Sequence, residues 1–122
     1  MNRLEELLIE TRGQSGDIIE LGHDTKTIAE ELLLLLCKHK VRRRFFTVNP
    51  NRGAEQAWDC SEGQARRSSP KVSGFIRSTP LHIEPYFENV SLLVVYSGLP
   101  LFEETLAKYQ DKLTPDGKVL IF

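Results

Sequence analysis

Cysteine is scarce in this chain: Cys37 and Cys60 are the only two. They show no CxxC or Cys/His ligand spacing, which argues against a structural zinc site. So few cysteines build no disulfide framework, and the expectation is an intracellular, cytoplasmic protein with reduced thiols. Long hydrophobic runs are missing as well. The longest extends only from Leu32 to Cys37, far short of the roughly 20 apolar residues that a bilayer-spanning helix needs, so no membrane is expected. Met1 leads straight into a charged amphipathic segment, and no signal peptide is expected. Neither sign of charge dominates: 16 basic residues stand against 17 acidic ones, a net charge of −1. That balance gives no overall pull toward nucleic acid or anionic lipid. The chain also lacks a Walker motif, a Ser-His-Asp signature and any metal-ligand cluster, so no catalytic residue and no metal site is assigned.

What the chain does contain fits one soluble globular domain over residues 1–122, with 40% hydrophobic and 27% charged residues. Its organising stretch runs from Asp17 to Cys37. Ile18, Ile19 and Leu21 read as a short buried strand, Gly22 opens a tight polar turn, and an apolar helix follows. A strand feeding a helix through a Gly turn opens a parallel α/β sheet and places a ligand site at the turn. Glu20 is an unusual charge for a central strand. It is expected near the carboxyl end, where the strand meets a crevice. Asp24, or Thr27 with Glu30, is expected to cap the helix. Its leucines run almost all round, which predicts burial on more than one side. Cys37 is expected as a small buried residue at its end.

Before this stretch, Leu4, Leu7 and Leu8 at helical spacing predict an amphipathic helix within residues 1–16, with Asn2 as its cap. The sheet core is expected over 17–122. Phe45 to Val48 reads as a second strand, and Gly53 to Trp58 as a short helical piece. Asp59 to Pro70 reads as a polar surface loop, with Ser68 and Ser69 beside Arg66 and Arg67 as weak phosphorylation candidates. Val72 to Arg77 reads as a third strand and Ser91 to Tyr96 as a densely apolar fourth. Pro100 is placed to start a helix over Leu101 to Lys112. Thr114 to Gly117 reads as a turn into a last strand, Lys118 to Phe122. The basic run Lys38 to Arg44 reads as a solvated cluster at a helix C-terminus, or as a nucleic-acid contact.

This order predicts a three-layer, doubly wound, mainly parallel five-stranded sheet in the order 3-2-1-4-5. The crevice then lies between the carboxyl ends of strands one and four. Gly22 to Lys26 and Ser97 to Pro100 should face each other across it.

Glu20-Leu21-Gly22, followed by Thr25 and an apolar helix, resembles the opening of class I S-adenosylmethionine-dependent methyltransferases, which use an acidic-x-Gly-x-Gly-x-Gly turn. Leu113 to Ile121 (LTPDGKVLI) is similar to that family's Leu-x-Pro-Gly-Gly turn into its fifth strand, and Leu92 to Tyr96 to its fourth strand. The resemblance covers about Asp17 to Phe122. It implies a Rossmann-like fold and S-adenosylmethionine bound above the turn by Glu20, Gly22, His23, Asp24, Asn49 and Ser97. The chain departs from the pattern in ways that bear on that site. Asp24 and Lys26 replace the second and third glycines, where side chains intrude on the cofactor's path. Asn49 replaces the acid that grips the ribose, with weaker hydrogen bonding. The sixth and seventh strands have no counterpart, so the last strand is an edge expected to be covered by another chain. The alternative to a cofactor-binding domain is therefore a non-catalytic Rossmann-like module acting through association, with a second copy or another subunit as partner.

Overall fold

The computed structural model describes residues 2–65, 73–82, 87 and 89–122. Five strands, β1 (Asp17–Leu21), β2 (Phe45–Val48), β3 (Ser73–Ile76), β4 (Val90–Val95) and β5 (Leu113–Ile121), form one parallel sheet in the order β3-β2-β1-β4-β5. This is the order expected from the sequence. The central strands β1 and β4 are buried along their whole length, as a parallel sheet covered on both faces requires.

Four helices cover the sheet: α1 (Arg3–Glu10), α2 (Ala29–Lys38), α3 (Arg52–Ala65) and α4 (Phe102–Gln110). Alternation along the strands sorts the core into two clusters. Ile18, Phe45, Leu92 and Val94 pack with Leu4, Leu7 and Leu8 of α1, the leucines of α2 and Trp58 of α3. Ile19, Leu21, Val48, Leu93 and Val95 pack on the other face with Leu99 and with Tyr109 of α4. The sheet is thus the middle of three layers.

The local determinants explain most of these elements. Asn2 caps α1, its Oδ1 accepting from the Glu5 N–H at 2.8 Å. The α3 helix outruns the short piece expected, because Trp58 is buried against Phe45 and Phe75 and pins its middle to the sheet. The expected polar loop from Asp59 is therefore helical as far as Ala65. Arg66 and Arg67, with Ser68 and Ser69 as phosphorylation candidates, lie outside the described residues, as does Val72 of the expected third strand.

Pro100 does not begin α4. Leu101 intervenes as the cap at φ 53°, ψ 44°, and the helix starts at Phe102. Leu34 on α2 is 55% exposed, so this helix is buried on the sheet and beside α3 but not all round. Cys37 is half-buried. Thr114 to Gly117 does not separate a turn from a strand but bulges inside β5. Leu113 pairs with Val90 and Lys118 with Leu92, so the intervening residues stand against Ser91 alone. The loop after α1 clasps this bulge: Gln14 Nε2 donates to the Asp116 carbonyl at 2.7 Å and Oε1 accepts from the Thr114 hydroxyl at 2.7 Å.

The basic run does not form one cationic face. Arg43 turns inward and is 3% exposed, its guanidinium donating to Thr11 Oγ1, Ser91 Oγ and the Leu8 carbonyl. Arg44 grips Asp17 with two hydrogen bonds of 2.8 and 2.7 Å, and Lys38 and His39 both contact Glu5.

Candidate functional site

The parallel order reverses direction between β1 and β4, so the segments leaving their carboxyl ends diverge to opposite faces and open a crevice. A cleft of about 510 Å³ lies there. One wall is the turn after β1, with His23, Asp24, Lys26, Thr27 and Ile28. The other is the segment after β4, with Tyr96, Ser97 and Gly98, extended by Phe122. The two segments expected to face each other do so: a Cβ on Gly98 would stand 3.9 Å from Cε1 of His23.

The first wall is shaped by groups buried behind it. Glu20 is fully buried, and its carboxylate accepts four hydrogen bonds. Oε1 takes the hydroxyls of Thr27 and Thr47, each at 2.8 Å. Oε2 takes the Ile28 backbone N–H at 2.8 Å and the Tyr96 hydroxyl at 2.6 Å. Glu20 therefore satisfies one of the unpaired amides at the start of α2, where its negative charge also favours the helix dipole. Thr27 Oγ1 accepts from the next amide, Ala29, at 3.0 Å. The cap of α2 is thus a carboxylate on the adjoining strand together with Thr27. Asp24 instead closes its own turn, Oδ1 accepting from the Lys26 N–H at 2.8 Å.

Asn49 is also fully buried and braces the same turn from β2. Its Nδ2 donates to the Asp24 carbonyl at 2.9 Å, and its Oδ1 accepts from the Asn51 N–H at 2.8 Å. Gly22 is required by this brace: a Cβ there would fall 2.6 Å from Asn49 Nδ2. The residues named from the sequence thus separate into two groups. His23, Asp24 and Ser97 line the cleft, whereas Glu20, Gly22 and Asn49 lie behind it and hold its wall in place.

Electrostatically the two walls differ. His23 Nε2 lies 3.6 Å from Asp24 Oδ2, and its Nδ1 is buried with no partner among the described residues. The side chains of the opposite wall are uncharged, and the Tyr96 and Phe122 rings stack there with centroids 5.5 Å apart and 25° between planes. Burial, then the charge of Glu20 and the hydrogen bond to it, push the Tyr96 phenol well above its usual range. Tyr96 is thus a neutral donor at all ordinary pH. The ladder continues through Phe122, whose N–H bonds the Val95 carbonyl at 2.9 Å while its carbonyl accepts from Ser97 at 2.8 Å.

Lys26 and Gly98 lie in the two segments expected to face the crevice, whereas sequence reasoning missed Thr27, Ile28, Tyr96 and Phe122 as lining residues. Their only sequence signal is position: each lies just beyond, or at the open end of, a strand bordering the expected crevice. Among the described residues there is no group of three or more His, Cys, Asp or Glu side chains able to hold a metal ion. No described helix is long and apolar enough to cross a membrane.

Sheet order, layering and switch-point cleft together define a Rossmann-like α/β domain. The chain is similar in structure to the precorrin-8W decarboxylase of Methanobacterium thermoautotrophicum, with a TM-score of 0.60 and 18% identity. That match covers 97% of this chain but 60% of the decarboxylase, so the chain spans about three fifths of its neighbour's length. At this identity the likeness concerns the fold. No family model matches the chain, and neither does any curated protein.

Proposed function

We propose that the domain binds an S-adenosylmethionine-type ligand in the cleft above the Gly22 turn, as a methyltransferase-like module. The observation that carries this reading is the position of Glu20. In dinucleotide-binding folds the pyrophosphate sits on the free amides at the start of the helix after β1. Here a protein carboxylate takes the Ile28 amide and the Thr27 hydroxyl takes that of Ala29. A phosphate brought to this helix end meets a buried negative charge and amides already bonded. S-adenosylmethionine carries no phosphate, and the remaining cleft offers its aromatic and polar parts a stacked ring pair on one wall and a polar turn on the other. When bound, the cofactor supplies an electrophilic methyl group; the residues of this chain would bind and orient it.

Titration calorimetry with S-adenosylmethionine, its demethylated product S-adenosylhomocysteine and NAD tests this. The reading expects saturable heat with the first two and none with NAD. No heat with either S-adenosyl compound at millimolar concentration, or preference for NAD, overturns it.

A second reading, a non-catalytic module that works by association, is favoured by the β5 edge. Its other side carries no strand among the described residues, and Ile121 and Phe122 there are 51% and 50% exposed. It predicts a concentration-dependent dimer in sedimentation, and a monomer at all concentrations counts against it.

A further inference from the structure

We propose that the stacked Tyr96–Phe122 pair is a platform for the planar ring of the ligand, so that a nucleobase lies over the open ends of β4 and β5 and away from β2. This rests on the S-adenosyl reading above and deepens it by fixing which way the ligand runs along the cleft.

The β2 side of the crevice is closed. Asn49, the residue that follows β2, is fully buried, and both ends of its amide are engaged within the fold: Nδ2 donates to the Asp24 carbonyl and Oδ1 accepts from the Asn51 N–H. It packs so closely on the turn that a Cβ at Gly22 would fall 2.6 Å from Nδ2. None of the residues lining the cleft comes from β2 or β3. The resembled family grips the ribose of its cofactor from the end of its second strand. Here that position is out of a sugar's reach, and the room lies on the other side, toward β4 and β5.

The β5 side carries a fixed aromatic surface. The Tyr96 ring is held from behind, because its hydroxyl donates to the buried Glu20 carboxylate at 2.6 Å. The main chain of Phe122 is tied to the end of β4 by two hydrogen bonds, one to the Val95 carbonyl and one from the Ser97 N–H. The two rings support each other with 25° between planes, yet Phe122 is still 50% exposed and both residues line the cleft. A surface set before the ligand arrives loses little conformational freedom on binding. A flat heteroaromatic ring gains apolar burial and ring–ring geometry on it, and needs no particular hydrogen-bonding edge. An aliphatic chain gains burial alone.

The test uses the full chain with S-adenosylhomocysteine. Intermolecular nuclear Overhauser effects are expected from adenine H2 and H8 to the ring protons of Phe122, with none to the amides of Asn49 and Asn51. The Phe122→Leu variant keeps an apolar side chain but no ring, and should bind S-adenosylhomocysteine about tenfold more weakly while its thermal unfolding is unchanged. Should that variant unfold, the Overhauser contacts of the unaltered chain decide alone. Adenine contacts gathered at Asn49 to Asn51, or a folded Phe122→Leu chain of unchanged affinity, overturn this inference and leave the S-adenosyl reading standing. Failure of the unaltered chain to bind S-adenosylhomocysteine overturns both.

Discussion

The Tyr96 hydroxyl donates to Oε2 of Glu20 at 2.6 Å, which ties the open end of β4 to that of β1 beneath the cleft. The same carboxylate holds Thr47 on β2 and the first turn of α2. Three neighbouring strands and a helix therefore share one buried anchor.

Removing that anchor should be costly in a graded way. Glu20→Gln keeps the shape, and its amide can turn toward the Thr27 and Thr47 hydroxyls, which can accept. We expect a loss of about 2 kcal/mol in urea unfolding, set by the lost charge-assisted bonds. Glu20→Ala leaves buried donors unpaired and should cost about 3 kcal/mol or more. Tyr96→Phe keeps the stack on Phe122 and should cost about 1–2 kcal/mol. Equal, negligible costs for all three would show that the network is not an anchor.

The Gly22 and Asn49 pair should behave as a coupled unit. Gly22→Ala puts a methyl group 2.6 Å from Asn49 Nδ2 and should destabilise by about 1–3 kcal/mol. In an Asn49→Ala background the obstructing amide is gone, and the same substitution should be nearly neutral. Additive effects in the double-mutant cycle would place the cost of Gly22→Ala elsewhere.

Arg43 is a buried cation with no acidic partner among the described residues, and burial lowers its pKa to about 10. It links β2 to α1 and to Ser91 at the start of β4. Arg43→Ala should cost about 2–4 kcal/mol through lost packing and orphaned acceptors. Because the folded value lies below the ordinary guanidinium range, the burial penalty on the charged form holds below about pH 10 and eases as pH rises above it. An Arg43→Met chain should lack that alkaline gain in unfolding free energy.

Glu5 gives the opposite limb. Hydrogen bonds from His39 and then Lys38 hold its carboxyl below the ordinary value of 4.5. A depressed carboxyl stabilises the fold above pH 4.5, and that contribution is lost as pH falls through the folded value. Glu5→Gln should therefore flatten the acid limb of the stability profile and leave the alkaline side unaltered. An unchanged acid limb would contradict the assignment.

These networks also show what was legible in the sequence. Strand identity, sheet order and the position of the crevice follow from short apolar runs, Gly and Pro punctuation and the handedness of crossovers, all of which are local or topological. The fate of Glu20 is neither. Thr47 and Tyr96 lie 27 and 76 residues away along the chain, so nothing near Glu20 says whether its carboxylate faces a ligand or is consumed within the fold. Arg43 is the same problem in reverse. Within a basic run it reads as surface, yet its partners Thr11 and Ser91 are 32 and 48 residues distant. The α3 helix is longer than its pattern suggests because its polar second half has little apolar periodicity of its own; Trp58 anchors it from within.

Amide-resolved NMR of the ¹⁵N-labelled chain titrated with S-adenosylhomocysteine tests the central claim most directly. Saturating shifts are expected on the amides from Gly22 to Ile28 and from Tyr96 to Gly98. An absence of shifts at millimolar ligand, or shifts gathered at the opposite end of the sheet around Thr11 and Arg43, would contradict it.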